Sequence, residues 1–142
     1  MLKYVLDTNI WSMWSKEVEI VVNNIENHAH EGIAITVVTA CEAFYGWGVA
    51  VRKRPRSEIV RVYRAMMREI EFMRDATVIP FTQKTLMIYE ELDEKYSVTD
   101  KADLRIAAIA IEHALILVTR NIKDFQQIKE LQIADWTVSL HF

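Results

Sequence analysis

The 142 residues hold only 3 glycines, 2 prolines and 1 cysteine. So little glycine and proline excludes collagen-like, linker-rich and disordered chains, and it favours long regular elements. A lone Cys41 supports neither an internal disulfide nor a cysteine-ligated zinc site, which points away from a stapled secreted scaffold and toward a cytoplasmic protein. No run of about 18 apolar residues occurs, and Asp7 breaks the apolar start where a signal peptide needs continuous hydrophobicity. Neither export nor a membrane span is expected. The chain lacks Gly-x-Gly-x-x-Gly and Gly-Lys-Ser/Thr phosphate loops, which disfavours dinucleotide and nucleoside-triphosphate enzymes. His28, His30, His113 and His141 have no ligand spacing with one another and are expected at the surface or as caps.

What is present is an apolar chain, 51% hydrophobic and 26% charged. That composition and length fit one globular domain over residues 1–142, with a core large enough to fold alone. The net charge of −3 gives no global reason to bind polyanions. Its distribution does: from Arg52 to Arg74 eight basic residues face three acidic ones, so this segment carries +5 and the remainder −8. Charge is segregated, and both poles need a role.

Leu2 to Leu6 is a short apolar run ended by Asp-Thr-Asn, a buried strand passing straight into a turn and a helix near Ile10. Residues 17–29 carry apolar side chains at helical spacing, Ile33 to Ile35 is a second strand after Gly32, and Val38 to Val49 a helix. After Pro55, the positions Ile59, Tyr63, Met66, Ile70 and Met73 predict the inward stripe of an amphipathic helix. Thr77 to Pro80 and Leu115 to Thr119 are further strands, Thr82 to Tyr96 and Asp100 to His113 helices, and a short polar helix lies near Lys123. Trp136 to Leu140 suits an edge strand. Short apolar runs alternating with helices predict an α/β layered domain, with a mainly parallel central sheet of four to five strands flanked by helices.

In such sheets ligands gather beyond the carboxyl ends of the strands. Asp7 follows the first strand there, and Thr119 with Asn121 follows the fourth. Two more acids stand on helices that are otherwise apolar, Glu42 and Asp103. Asp7 also suits a helix cap, and Asp103 the positive end of its helix dipole. Glu42 needs solvent or a partner, because a buried unpaired carboxylate costs several kcal/mol or protonates. If the three converge, their repulsion is relieved by a divalent cation that prefers oxygen, Mg²⁺ or Mn²⁺. Such a cation suits phosphodiester hydrolysis.

These residues resemble a known family. Tyr4-Val-Leu-Asp-Thr-Asn9, Glu42-Ala-Phe-Tyr-Gly46, Asp103-Leu-Arg-Ile-Ala-Ala108, Leu117-Val-Thr-Arg-Asn121 with Phe125, and Leu131 to Trp136 follow one another as in PIN-domain ribonucleases, specifically the VapC-type toxins of toxin-antitoxin pairs. Each motif alone is weak, but five in order over nearly the whole chain are specific. The resemblance implies a PIN-like three-layer fold and a Mg²⁺- or Mn²⁺-dependent endoribonuclease. It also implies Asp7, Glu42 and Asp103 as metal ligands, a cognate antitoxin that covers the groove and the metal site, and a homodimer. Asn121 stands where many relatives carry a fourth catalytic acid; an amide adds no charge, which puts a second metal in doubt. Asp124 is near enough in sequence to substitute, Thr8 and Thr119 can support the acids or bound waters, and Asp100 suits a cap.

Arg61, Arg64 and Arg68 share a narrow stripe, and Arg52, Lys53, Arg54 and Arg56 are expected in a loop before that helix. They form either a solvated face or a phosphate-contacting strip that offsets the acids. Trp11, Trp14, Tyr45 and Trp47 suit core, a partner groove or base stacking, and Cys41 suits a small buried hydrophobe. The alternative to catalysis is a PIN-like module that binds RNA or protein without turnover, for which Asn121 is the motive. A phosphoryl-accepting receiver domain is disfavoured: it needs a second acid beside Asp7 and a late lysine, and Lys123 fits poorly.

Overall fold

The computed structural model describes residues 1–97 and 100–139. Five parallel strands, β1 (Tyr4–Leu6), β2 (Ile33–Thr36), β3 (Thr77–Ile79), β4 (Ile116–Val118) and β5 (Gln132–Ala134), form one sheet in the order β3-β2-β1-β4-β5. Among the described residues seven α-helices flank it: α1 (Thr8–Ser15), α2 (Glu19–His28), α3 (Val37–Lys53), α4 (Ile59–Arg74), α5 (Gln83–Lys95), α6 (Lys101–Glu112) and α7 (Ile122–Phe125). This is the expected PIN-like three-layer arrangement.

Strand alternation builds the two faces. Val5, Ala34 and Leu117 point into one core with α6, while Tyr4, Leu6, Ile35 and Val118 point into the other with Trp11, Val21 and Ile25. Helix α6 buries Leu104 and every residue from Ile106 to Ala110 completely, as an all-round apolar helix must. β1 is central, paired with β2 on one side and β4 on the other; the order of strands reverses at β1, and a crevice opens there beyond the strand ends. The backbone N–H of Asp7 donates to the Val118 carbonyl at 2.8 Å, which fixes the first residue after β1 against the end of β4.

Three elements differ from expectation. The edge strand lies at Gln132–Ala134; Trp136 instead packs into the core at 3% exposure against Tyr4 and His28, and Leu140 and His141 lie outside the described residues. Helix α3 runs on to Lys53, so Arg52 and Lys53 occupy its last turn, where the negative end of the dipole favours them, rather than a loop. On α4 the inward side chains are Val62 and Met73, and Tyr63 is exposed.

Candidate active site

The crevice at the ends of β1 and β4 holds the first acid. Asp7 is 2% exposed. Its Oδ1 accepts the Thr8 N–H at 2.8 Å, which caps α1, and its Oδ2 accepts the buried Thr119 hydroxyl at 2.9 Å. Capping and site chemistry therefore coexist in one carboxylate. Burial pushes the Asp7 carboxyl up, the Thr119 and Thr8 bonds pull it down, and the charges of Glu42 and Asp100 push it up again.

Helix α3 brings in the second acid. Thr36 caps it, accepting the Thr39 N–H at 3.2 Å. The exposed Glu42 accepts the Thr8 hydroxyl at 2.8 Å. The hydroxyl of the fully buried Thr39 lies 2.9 Å from that of Thr8. With the Thr8 proton committed to Glu42, the relay runs from Thr39 through Thr8 to Glu42.

Helix α6 brings in the third. Asp100 caps it, accepting the N–H groups of Ala102 and Asp103 at 2.9 and 3.2 Å, in the capping role expected for it. Asp103 is half-buried and its carboxyl is pushed up to about 7, first by burial and then by the charges of Asp7, Asp100, Glu42 and Asp124. Among the described residues no donor bonds the Asp103 side chain, and no lysine, arginine or histidine pairs with Asp7, Glu42, Asp103 or Asp124.

After β4 the chain turns through Asn121, whose N–H donates to the Thr119 hydroxyl at 2.9 Å and whose amide donates to Asp124 Oδ2 at 2.9 Å. Asn121 thus holds a fourth carboxylate, Asp124, within the electrostatic reach of Asp103. Asp7, Glu42, Asp103 and Asp124 form one field of uncompensated negative charge with only oxygen donors.

That donor set suits a hard divalent cation. Among the described residues no three acidic, histidine or cysteine side chains close into a finished ligand cluster, while the charges of Asp7, Glu42 and Asp124 all act on Asp103. A hard divalent cation that keeps several waters and takes one or two carboxylates directly is compatible with both findings.

Beside the acids runs a groove of about 860 Å³, lined by Thr8, Trp11, Trp14, Glu42, Trp47, Arg68, Glu69 and Phe72. Trp11 is buried in its wall, edge-on to Trp14 at 5.7 Å and tilted against Phe72 at 4.9 Å between ring centres. Glu69 on α4 accepts the indole N–H of Trp11 at 2.8 Å and that of Trp47. Tyr45 is instead exposed at 75%, and Cys41 is exposed rather than buried, lining a cavity between α3, α5 and α6.

The basic residues divide. Arg68 lines the groove. Arg61 and Arg54 both pair with Glu58, at 2.8 and 3.5 Å. Arg52, Lys53 and Arg64 are exposed and unpaired among the described ion pairs. Thr39 and Glu69 escaped the sequence reading. For Thr39 the available signal was a hydroxyl one turn before Glu42 on an apolar helix. Glu69 offered none, since its indole partners are remote in sequence.

A PIN domain model matches residues 4–131. Ribonuclease VapC2 of Rickettsia felis is 30% identical over 135 residues, covering 94% of this chain and 97% of that protein. The tRNA(fMet)-specific endonuclease VapC of Salmonella typhimurium is 25% identical over 136 residues, covering 96% of this chain and 99% of its own length. The crystal structure of VapBC2 from Rickettsia felis bound to a promoter DNA fragment contains a chain that matches with a TM-score of 0.76 at 29% identity, over 95% of this chain and 99% of that one. With the parallel sheet and these likenesses in agreement, the chain belongs to the PIN-domain family and, within it, to the VapC-type ribonucleases.

Proposed function

We propose that the protein is a Mg²⁺- or Mn²⁺-dependent endoribonuclease, the toxin of a type II toxin-antitoxin pair, acting in the cytoplasm. What supports this is that three separate elements bring in Asp7, Glu42 and Asp103, that the charge of Glu42 acts on Asp7 and those of Asp7 and Glu42 act on Asp103, and that no cationic side chain pairs with any of them among the described residues. Asp7, Glu42 and Asp103 would hold the cation, whose chemistry when bound would be to offset phosphodiester charge and acidify water. Thr119 and the Thr8 N–H fix both Asp7 oxygens, leaving their remaining lone pairs for coordination. The Thr39–Thr8 relay orients Glu42. Asp103 holds a proton until about neutral pH and would have to give it up to act as a ligand. Asn121 aims Asp124 at the same field and serves as the weaker, outer support.

RNA suits the basic residues Arg61, Arg64, Arg68, Arg52, Lys53 and Arg54, which give affinity through phosphates without sequence preference. The aromatic groove suits an antitoxin segment that ends over the acids, and complexes such as the VapBC2 pair support that partner. Exposed Phe44 and Tyr45 on α3 with Val60, Tyr63 and Met67 on α4 support a homodimer. No helix among the described residues is long and apolar enough to cross a membrane.

The test is incubation of purified protein, freed of antitoxin, with structured RNA and Mg²⁺ or Mn²⁺. The parent cleaves, and Asp7→Asn lowers the rate by more than about 100-fold, beyond what loss of an outer supporting group gives. Equal cleavage by Asp7→Asn overturns the mechanism. RNA binding without turnover at any metal concentration favours the non-catalytic reading instead.

A further inference from the structure

A second cavity opens on the far side of Glu42 from the aromatic groove. It measures about 400 Å³, within the span of small-ligand pockets at roughly 300–1,000 Å³. Its walls are Val37 and Cys41 of α3, Phe81 and Tyr89 beside and on α5, and Arg105 of α6, with Glu42 at its mouth. Helix α6 turns about 100° per residue, so while Asp103 joins the acids, its neighbours Ala102 and Arg105 line this cavity. The cavity begins where the carboxylate site ends, and Glu42 borders both the groove and the cavity.

Two groups here have no part in the chemistry described above. The Arg105 guanidinium lies 5.3 Å from the Tyr89 ring centre, and Arg105 is exposed without a carboxylate partner among the described ion pairs. A free cation two residues along α6 from the candidate ligand Asp103 offers a phosphate contact in an otherwise negative neighbourhood. Beneath it lie an aromatic ring and aliphatic walls, a flat apolar slot with a cationic rim. A planar heteroaromatic group joined to a phosphate matches both parts: the ring stacks, and the phosphate meets the guanidinium. Resting on the nuclease reading, we propose that this cavity binds the nucleobase of a nucleotide next to the scissile phosphate: the base replaces the Arg105 guanidinium on the Tyr89 ring, and the exposed Arg105 swings out onto the adjoining phosphate.

The test reads binding apart from cleavage, by fluorescence anisotropy of a labelled single-stranded RNA and of its abasic counterpart in Ca²⁺. The parent binds the base-bearing RNA at least about fivefold tighter, the lower end for one stacked base. Tyr89→Leu removes that difference. Arg105→Gln weakens both RNAs alike and lowers the salt slope by about one phosphate contact. Cys41→Trp, which fills the slot from an exposed position, abolishes the base preference even if Tyr89→Leu fails to fold. Equal affinity of the parent for both RNAs, or a preference that survives Tyr89→Leu or Cys41→Trp, overturns the proposal. So does unchanged RNA binding combined with a shift from dimer to monomer in light scattering, which assigns the cavity to a second copy of the chain. Cleavage by the parent in Mg²⁺ is followed separately: its absence counts against the nuclease reading, whereas loss of base preference in Ca²⁺ counts against the pocket alone.

Discussion

At the residue scale, Asp103 is held away from its ordinary ionisation by burial and by four neighbouring carboxylates. Its folded-state value of about 7 stands above the ordinary 3.8. Below the lower value both folded and unfolded chains carry the proton, and Asp103 exacts nothing. As pH rises between the two, the unfolded chain ionises first, so stability falls until the folded carboxyl also ionises, and the penalty is constant above that. Asp103→Asn is therefore expected to raise the melting temperature more at about pH 8 than at about pH 4, where the parent is already neutral there. A thermal-melt series checks it, and a gain independent of pH contradicts it. The three candidate acids stand out in the sequence because Asp7 ends an apolar strand, Glu42 interrupts an apolar helix and Asp103 opens another. Thr39 offers only its place one turn before Glu42, and Glu69 offers nothing, since it meets its indoles 58 and 22 residues away.

At the element scale, α4 shows where periodicity runs out. Apolar side chains cover so much of its circumference that spacing alone does not choose an inward line, and the expected Tyr63 stands at 46% exposure while Val62 is buried. Glu69 supplies the missing constraint. It lies on the same line as Val62 and Met73, and its two indole bonds turn that line toward α1 and α3. Glu69→Gln replaces one acceptor oxygen by an amide donor facing an indole N–H. A loss of about 1–3 kcal/mol in urea unfolding is expected, with a changed tryptophan emission. Gly32 governs the entry to β2: its φ is +91°, and a Cβ there meets the Met1 carbonyl oxygen at 2.1 Å. Gly32→Ala combines that backbone clash with left-handed strain, and a loss above about 1 kcal/mol is expected from the strain alone. A variant as stable as the parent contradicts the turn geometry. The boundary of α3 was misplaced because no helix breaker intervenes before Pro55, and the last strand because Trp136 serves the core better than an edge.

At the scale of the whole molecule, the fold class and sheet were readable, since short apolar runs separated by helices leave few arrangements other than a parallel layered sheet. The strand order was not, because nothing in a five-residue run says on which side of β1 it docks. Yet that order makes the site: it sets β1 beside β4, so Asp7 and Thr119 meet although 112 residues separate them. Under the proposed function the segregated charge acquires a rationale, with an acidic crevice to hold a cation and a basic segment to meet a polyanion. Anomalous scattering from crystals loaded with Mn²⁺ tests this centre most directly. The account predicts a peak between the Asp7, Glu42 and Asp103 carboxylates, with an Asp7 oxygen at about 2.1 Å. An ordered, Mn²⁺-saturated crystal with no peak there, or with the ion bound elsewhere and clear of Asp7, would contradict it.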